Sequence, residues 1–125
     1  MVSIPVEVAA LAGHIEERGP TAYLVTVGAE HRPHVVAVTV RWRDGSLATS
    51  AGRTTMANVD LRPDVTLVWA APPGSGYSLI VDGTARATDH NQTPNLDIEL
   101  RKAVLHRTPE GDPSGPSCIT VYPRP

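Results

Sequence analysis

Apolar positions along this chain follow two periods. Ile4, Val8, Leu11 and Ile15 recur at helical spacing and make one apolar stripe. Ser3 reads as the cap of that helix, with Pro5 and Glu7 in its first turn. Gly19-Pro20 stops it, as a left-handed cap followed by a residue that cannot continue a helix. Beyond that point the pattern changes to β-type runs at 23–27, 35–42, 47–50, 65–71, 77–88 and 117–122. A polar turn fills 28–34, and Arg43-Asp44-Gly45-Ser46 reads as a hairpin turn. The run at 65–71 is apolar on both faces, which predicts a central strand. Asp82-Gly83, inside the long fifth run, predicts a bulge or a bend. A short helix over about 54–61 ends before Arg62-Pro63-Asp64. Thr93, followed by Pro94, caps a last expected helix. Its Asp97 and Glu99 lie early and its Arg101, Lys102 and Arg107 late, as the macrodipole prefers. A Gly/Pro loop at 72–76 and a loose Pro/Gly segment at 108–116 complete the organisation.

Consecutive runs lie too close for helical crossovers, so the strands pair antiparallel and a parallel α/β sheet is excluded. The expected fold is mainly β (α+β), a six-stranded antiparallel barrel with two or three short helices. At 125 residues the chain suits one compact domain over 1–125.

Composition narrows the function classes. Eleven Lys+Arg stand against 13 Asp+Glu, so no global charge attracts nucleic acid or an acidic membrane. Lys102 is the only lysine, and with abundant Ala, Val and Pro this resembles the product of a high-GC bacterial genome. Cys118 is the only cysteine, which excludes an intrachain disulfide and a cysteine-cluster metal site. No basic leader with an apolar core opens the chain, and no apolar run reaches membrane-spanning length, so a soluble cytoplasmic protein is expected.

The chemistry-bearing stretch is Ser50-Ala51-Gly52-Arg53-Thr54-Thr55, where a strand ends, turns and starts a polar helix. A helix N-terminus presents free N–H groups and the positive end of its dipole, so it suits a phosphate. Arg53 reads as either a phosphate ligand or a solvated surface arginine. Thr54 and Thr55 are either further donors or simple N-caps. No His or Cys spacing matches a zinc site, including His31 and His34 three apart in a turn. Ser117 in Gly115-Pro116-Ser117-Cys118-Ile119 lacks the second glycine of a nucleophile elbow. Gly74-Ser75-Gly76 opens a strand where a dinucleotide turn would open a helix. Cys118 reads as a buried small hydrophobe. Trp42, Trp69, Tyr23 and Tyr77 read as core or interface aromatics, with stacking on a planar ring as the other role for Trp69 or Tyr77.

The order of elements, and several local motifs, resemble the flavin-binding split β-barrel family, the pyridoxamine 5′-phosphate oxidase-like proteins. That family includes an actinobacterial branch using FMN or the 8-hydroxy-5-deazaflavin coenzyme, coenzyme F-420. The resemblance covers roughly residues 8 to 90. It is carried by Arg32-Pro33-His34-Val35-Val36, by Thr49-Ser50-Ala51-Gly52-Arg53, by the stretch from Asn58 to Pro63, and by Gly76-Tyr77-Ser78 through Asp82-Gly83-Thr84-Ala85. It implies a ring bound in a cleft between two subunits of a homodimer. The ring-edge segment becomes His34 to Thr39, including Val38, with Thr49 and Ser50. The phosphate cluster becomes Arg53, Thr54 and Thr55, and Tyr77 faces the ring from across the cleft. Where many relatives place a lysine, this chain has Thr55. Losing that charge-assisted bond costs roughly 1.5–3 kcal/mol, and Thr55→Lys is expected to restore it.

The implied activity is a flavin- or deazaflavin-dependent oxidoreductase, passing hydride between bound cofactor and a small organic substrate. No triad or carboxylate pair is needed for this, because the cofactor carries the hydride. Two other readings stand beside it: a non-catalytic carrier of flavin, haem or another small ligand, and a cofactor-free dimeric barrel.

Overall fold

A computed structural model describes residues 3–43, 45–74, 76–90, 93–107 and 118–123. The side chains of residues 3–8, with the expected Ser3 cap, lie outside the described residues, as do Asp44 and the segment 108–117 with Ser117. The elements run α1 (Ser3–Arg18), β1 (Thr21–Val27), β2 (Pro33–Arg43), β3 (Ser46–Ser50), α2 (Arg53–Leu61), β4 (Asp64–Trp69), β5 (Ser78–His90), β6 (Thr93–His106) and β7 (Cys118–Tyr122).

All strand pairings are antiparallel, in the order β3-β2-β1-β4-β5-β6-β7, and β3 also pairs with β6. That last pairing closes a six-stranded barrel from β1 to β6. One edge of β6 is shared: its first half pairs with β3 and its second half with β7.

Alternation decides what the barrel buries. Along β1, Ala22, Leu24 and Thr26 point inward and are buried, whereas Tyr23, Val25 and Val27 point outward. Leu47, Leu67, Trp69, Leu79, Val81, Leu96 and Ile98 fill the interior, and Leu11 and Ile15 of α1 close over it. Each such aliphatic side chain contributes about 1.5–3 kcal/mol when fully buried. The end of α1 is held as the sequence implies. Gly19 adopts φ 88 and its N–H donates to the Ile15 carbonyl at 2.9 Å. Trp69 Nε1 donates to the Gly19 carbonyl at 3.0 Å, so this ring is core and offers no stacking surface.

One expectation fails outright. Residues 93–106 form no helix; they are β6, a 14-residue strand. Leu96, Ile98 and Leu100 alternate inward against β5 on one side, and β3 on the other supplies the second set of backbone partners. From Asn95 to Ile98 the strand is paired on both edges, with β3 and with β5, and that pairing outweighs a favourable cap and charge order. The strand expected at 117–122 is therefore an addition to the barrel, as β7.

The bulge at Asp82-Gly83 is present. Asp82 faces Lys102 and Gly83 faces Leu100, leaving Arg101 as the extra residue on β6. Gly83 is required for close approach: a Cβ there would lie 2.5 Å from Ile98 Cγ2 and 2.7 Å from the Glu99 carbonyl oxygen. Cys118 is exposed, not buried, because it opens β7, an edge strand with β6 as its neighbour on one side.

Candidate functional site

A cleft of about 730 Å³ lies where β2, β3 and the start of α2 meet. Its size suits a drug- or cofactor-sized ligand. Eight of the nine residues expected from the sequence line it: His34, Val38, Thr39, Thr49, Ser50, Arg53, Thr54 and Thr55. Tyr77 does not. It sits just before β5, where its carbonyl accepts from Arg18 Nη2 at 2.8 Å and its ring lies 5.7 Å from the Arg107 guanidinium.

Strand parity divides these residues by what they can offer. Thr39 and Ser50 point outward and are exposed, so their hydroxyls are available to a ligand. Val38 and Thr49 point into the barrel, at 9% and 0% exposure. The Thr49 hydroxyl donates to the Thr39 carbonyl at 2.8 Å, tying β3 to β2 beneath the cleft floor. Its part is to hold the wall, leaving ligand contact to exposed neighbours. His34 is half-buried at the start of the wall.

The helix end is built open. Gly52 is the N-cap, in extended conformation, and no side chain caps the first turn. The first intrahelical bond is Met56 N–H to the Gly52 carbonyl at 3.0 Å, so the amides of residues 53–55 precede the ladder. Arg53 and Thr54 are exposed beside them. Thr54 and Thr55 therefore occupy the first turn itself and are not N-caps. Thr55 is 2% exposed and, with Asn58 and Val59, belongs to the buried face of α2. A phosphate at this helix start would meet the Arg53 guanidinium, the Thr54 hydroxyl and backbone N–H groups, with Thr55 contributing through its amide.

The opposite end of α2 is tied down. Asn58 Nδ2 donates to the buried Thr26 hydroxyl at 3.1 Å, and Arg62 Nη1 donates to the Gly28 carbonyl at 2.6 Å. Arg62 Nη2 lies 3.0 Å from His31 Nε2. The helix thus hangs from the β1–β2 turn with its first turn over the cleft.

One lining residue escaped the sequence reading. Arg41 points outward on the same face of β2 as Ala37 and Thr39, and it also lines the cleft. The expected ring-edge segment stopped at Thr39. The same period of two, carried one step further, reaches Arg41. Among the described residues, no group of three or more His, Cys, Asp or Glu could hold a metal ion. No described helix is long and apolar enough to cross a membrane.

Comparisons place this architecture among known proteins. No family model matches the chain. The uncharacterized proteins Mb0449c of Mycobacterium bovis and MT0457 of Mycobacterium tuberculosis are each 37% identical to it over 115 residues, covering 80% of this chain and 81% of the relative. Among solved structures, an F420 reductase superposes with a TM-score of 0.61 at 16% identity, covering 70% of this chain and 90% of its own. A Clostridium acetobutylicum protein related to general stress protein 26, of the pyridoxinephosphate oxidase family, gives 0.67 at 12% identity, covering 90% and 92%. A heme binding protein from Mycobacterium smegmatis gives 0.66 at 14%, covering 91% of this chain and 58% of that one. The chain has the split-barrel fold of the pyridoxamine 5′-phosphate oxidase-like proteins, and it belongs to one family with the two mycobacterial proteins.

Proposed function

We propose that the cleft holds a phosphate-bearing flavin, FMN or the 8-hydroxy-5-deazaflavin coenzyme, and that the protein is an oxidoreductase acting on a small organic substrate. The observation that carries this reading is the uncapped start of α2, with exposed Arg53 beside free amides, at the mouth of a cleft walled by outward hydroxyls. Arg53 has little to offer the helix, because a cation at that end opposes the dipole; an anion between them reverses the sign. The donor set suits a phosphate at one end and a polar ring edge along Thr39 and Ser50 at the other. Bound there, a flavin or deazaflavin would supply hydride transfer. The chain's own residues anchor the phosphate, fix the ring edge and limit water on one face.

We propose further that the working unit is a homodimer. Outward residues of β2, β1, β4 and β5 form an apolar face that includes Val35 at 56% exposure, Tyr23 at 51%, and half-buried Val25, Val68 and Ile80. This face adjoins Ala37 on the cleft wall, so a second copy seated on it would roof the cleft. Light scattering is expected to give twice the 13.3 kDa chain mass. A monomer at micromolar concentration contradicts the roofed cleft.

A second reading is favoured by His34 in the cleft wall and by the heme binding neighbour: a flat ligand held without turnover. Titration of the purified protein with FMN, the deazaflavin coenzyme and haem, followed by absorbance and fluorescence, separates the two. Tight binding of either flavin, weakened in Arg53→Ala, supports the oxidoreductase reading. Binding of haem alone, lost in His34→Ala, replaces it with the carrier, and binding of none leaves a cofactor-free barrel.

A further inference from the structure

Arg41 stands on β2 two residues beyond Thr39, about 7 Å further from the start of α2 at roughly 3.3 Å per residue. An exposed arginine normally samples many rotamers, which dilutes any single contact. This one is directed. Its Nη2 donates to Asn95 Oδ1 at 2.7 Å. Asn95 is on β6 opposite Ser50 and is only 2% exposed. Its amide is itself fixed, because Nδ2 donates to the Thr88 hydroxyl at 3.1 Å and to Asp97 Oδ1 at 3.3 Å. Asp97 in turn lies 3.7 Å from the Arg43 guanidinium. A buried side-chain amide that could have closed on the sheet instead orients a cleft cation. A guanidinium carries five N–H donors, and Asn95 takes one.

We infer that Arg41, positioned by Asn95, is a second anion anchor at the end of the cleft away from Arg53, reading a planar anionic edge of the O–C–O or N–C–O type. This rests on the reading of the cleft as a ligand site. The shape follows from the fork, which matches a carboxylate or an amide anion with two parallel bonds, as an ammonium cannot. Such an edge arrives either on the cofactor ring or on the carboxylate of a second ligand.

Benzoate, with neutral benzamide as control, is the probe. Titrated into the cofactor-free protein and followed by saturation-transfer nuclear magnetic resonance on the ligand's own ring protons, which reads parent and variants alike, benzoate is expected to bind and benzamide not to. Arg41→Gln is expected to weaken benzoate roughly ten- to hundred-fold in a protein that stays folded, with only a small fall in melting temperature as the buried Asn95 Oδ1 loses its guanidinium donor. Arg41→Lys is expected to recover only part of that loss. Asn95→Leu is expected to weaken benzoate by a smaller factor while leaving the guanidinium in place. The same titration on FMN-loaded protein identifies the source. Benzoate displaced by FMN assigns the edge to the ring, and benzoate retained assigns it to a second ligand. Benzoate binding no better than benzamide, or equally well to Arg41→Gln, overturns the anchor. Binding of neither FMN nor the deazaflavin coenzyme by the parent protein would refute the flavin reading alone, since the benzoate arm needs no cofactor.

Discussion

The two ends of α2 face the same requirement and meet it differently. Each helix end leaves backbone groups without helical partners. At the C-terminal end the Arg62 N–H donates to the Asn58 carbonyl at 2.7 Å, Arg62 reaches the Gly28 carbonyl, and Asn58 reaches Thr26. At the N-terminal end Gly52 brings no cap, and Arg53 and Thr54 stand exposed over the cleft. One end fastens the helix to the β1–β2 turn; the other presents donors to whatever enters. The contrast separates residues tied into the fold from residues left exposed at the cleft, within a helix of nine residues.

Substitutions at the two ends should therefore act on different observables. The largest effect is expected at the fastened end. Asn58→Ala leaves the Thr26 hydroxyl buried without that donor and opens a small void, costing about 2–3 kcal/mol of stability by denaturant titration. Cofactor affinity should change only as far as the fold loosens. At the open end Arg53→Ala should weaken FMN binding roughly ten- to hundred-fold, with a stability change within about 0.5 kcal/mol. Equal loss of melting temperature and unchanged affinity would erase the distinction.

Thr55→Lys sharpens the contrast from between the two ends. The family's pattern suggested that a lysine here would tighten FMN, but Thr55 is 2% exposed on the packed side of α2. The longer cationic side chain is now expected to cost about 1–3 kcal/mol of stability and to give no tightening. Thr54→Lys, on the exposed side, is the variant expected to tighten FMN, and added salt should shrink that gain. The smallest effect is expected at the cap. Gly52 has φ −77 and nothing within 4 Å of an added Cβ, so Gly52→Ser fits without strain. Its hydroxyl should raise stability by a few tenths of a kcal/mol, about the measured gap between serine and glycine caps. By occupying a first-turn amide it should also weaken phosphate binding a few-fold. Gly52→Ala, which brings no hydroxyl, is the control.

Much of this site was legible because it is local. Gly19-Pro20 marks a helix stop through a conformation glycine adopts freely, and Gly52-Arg53-Thr54 marks a helix start by composition. The outward face of β2 follows from alternation alone, and Arg41 lay one period beyond the segment drawn. The misreading of 93–107 has a different cause. Leu96 and Leu100 satisfy helical spacing while Leu96, Ile98 and Leu100 satisfy strand spacing, and the charges favour the helix. The decision rests with β3 and β5, which are distant in sequence and supply partners on both edges. Asn95 as the support of Arg41 is equally non-local, because it follows from closure of the barrel by β3 and β6. Cys118 was misplaced for the same reason: apolar neighbours in sequence do not show that its strand is an edge.

The open start of α2 is proposed as the phosphate site of a flavin cleft. Parallel titration of the parent protein and Arg53→Ala with FMN and with the deazaflavin coenzyme, at low and high salt, tests it most directly. The expected result is saturable binding of at least one coenzyme by the parent, weakened at least ten-fold in Arg53→Ala, with the difference between the two proteins narrowing as salt rises. Binding of neither coenzyme by a folded parent, or equal binding by both proteins at low salt, would contradict it.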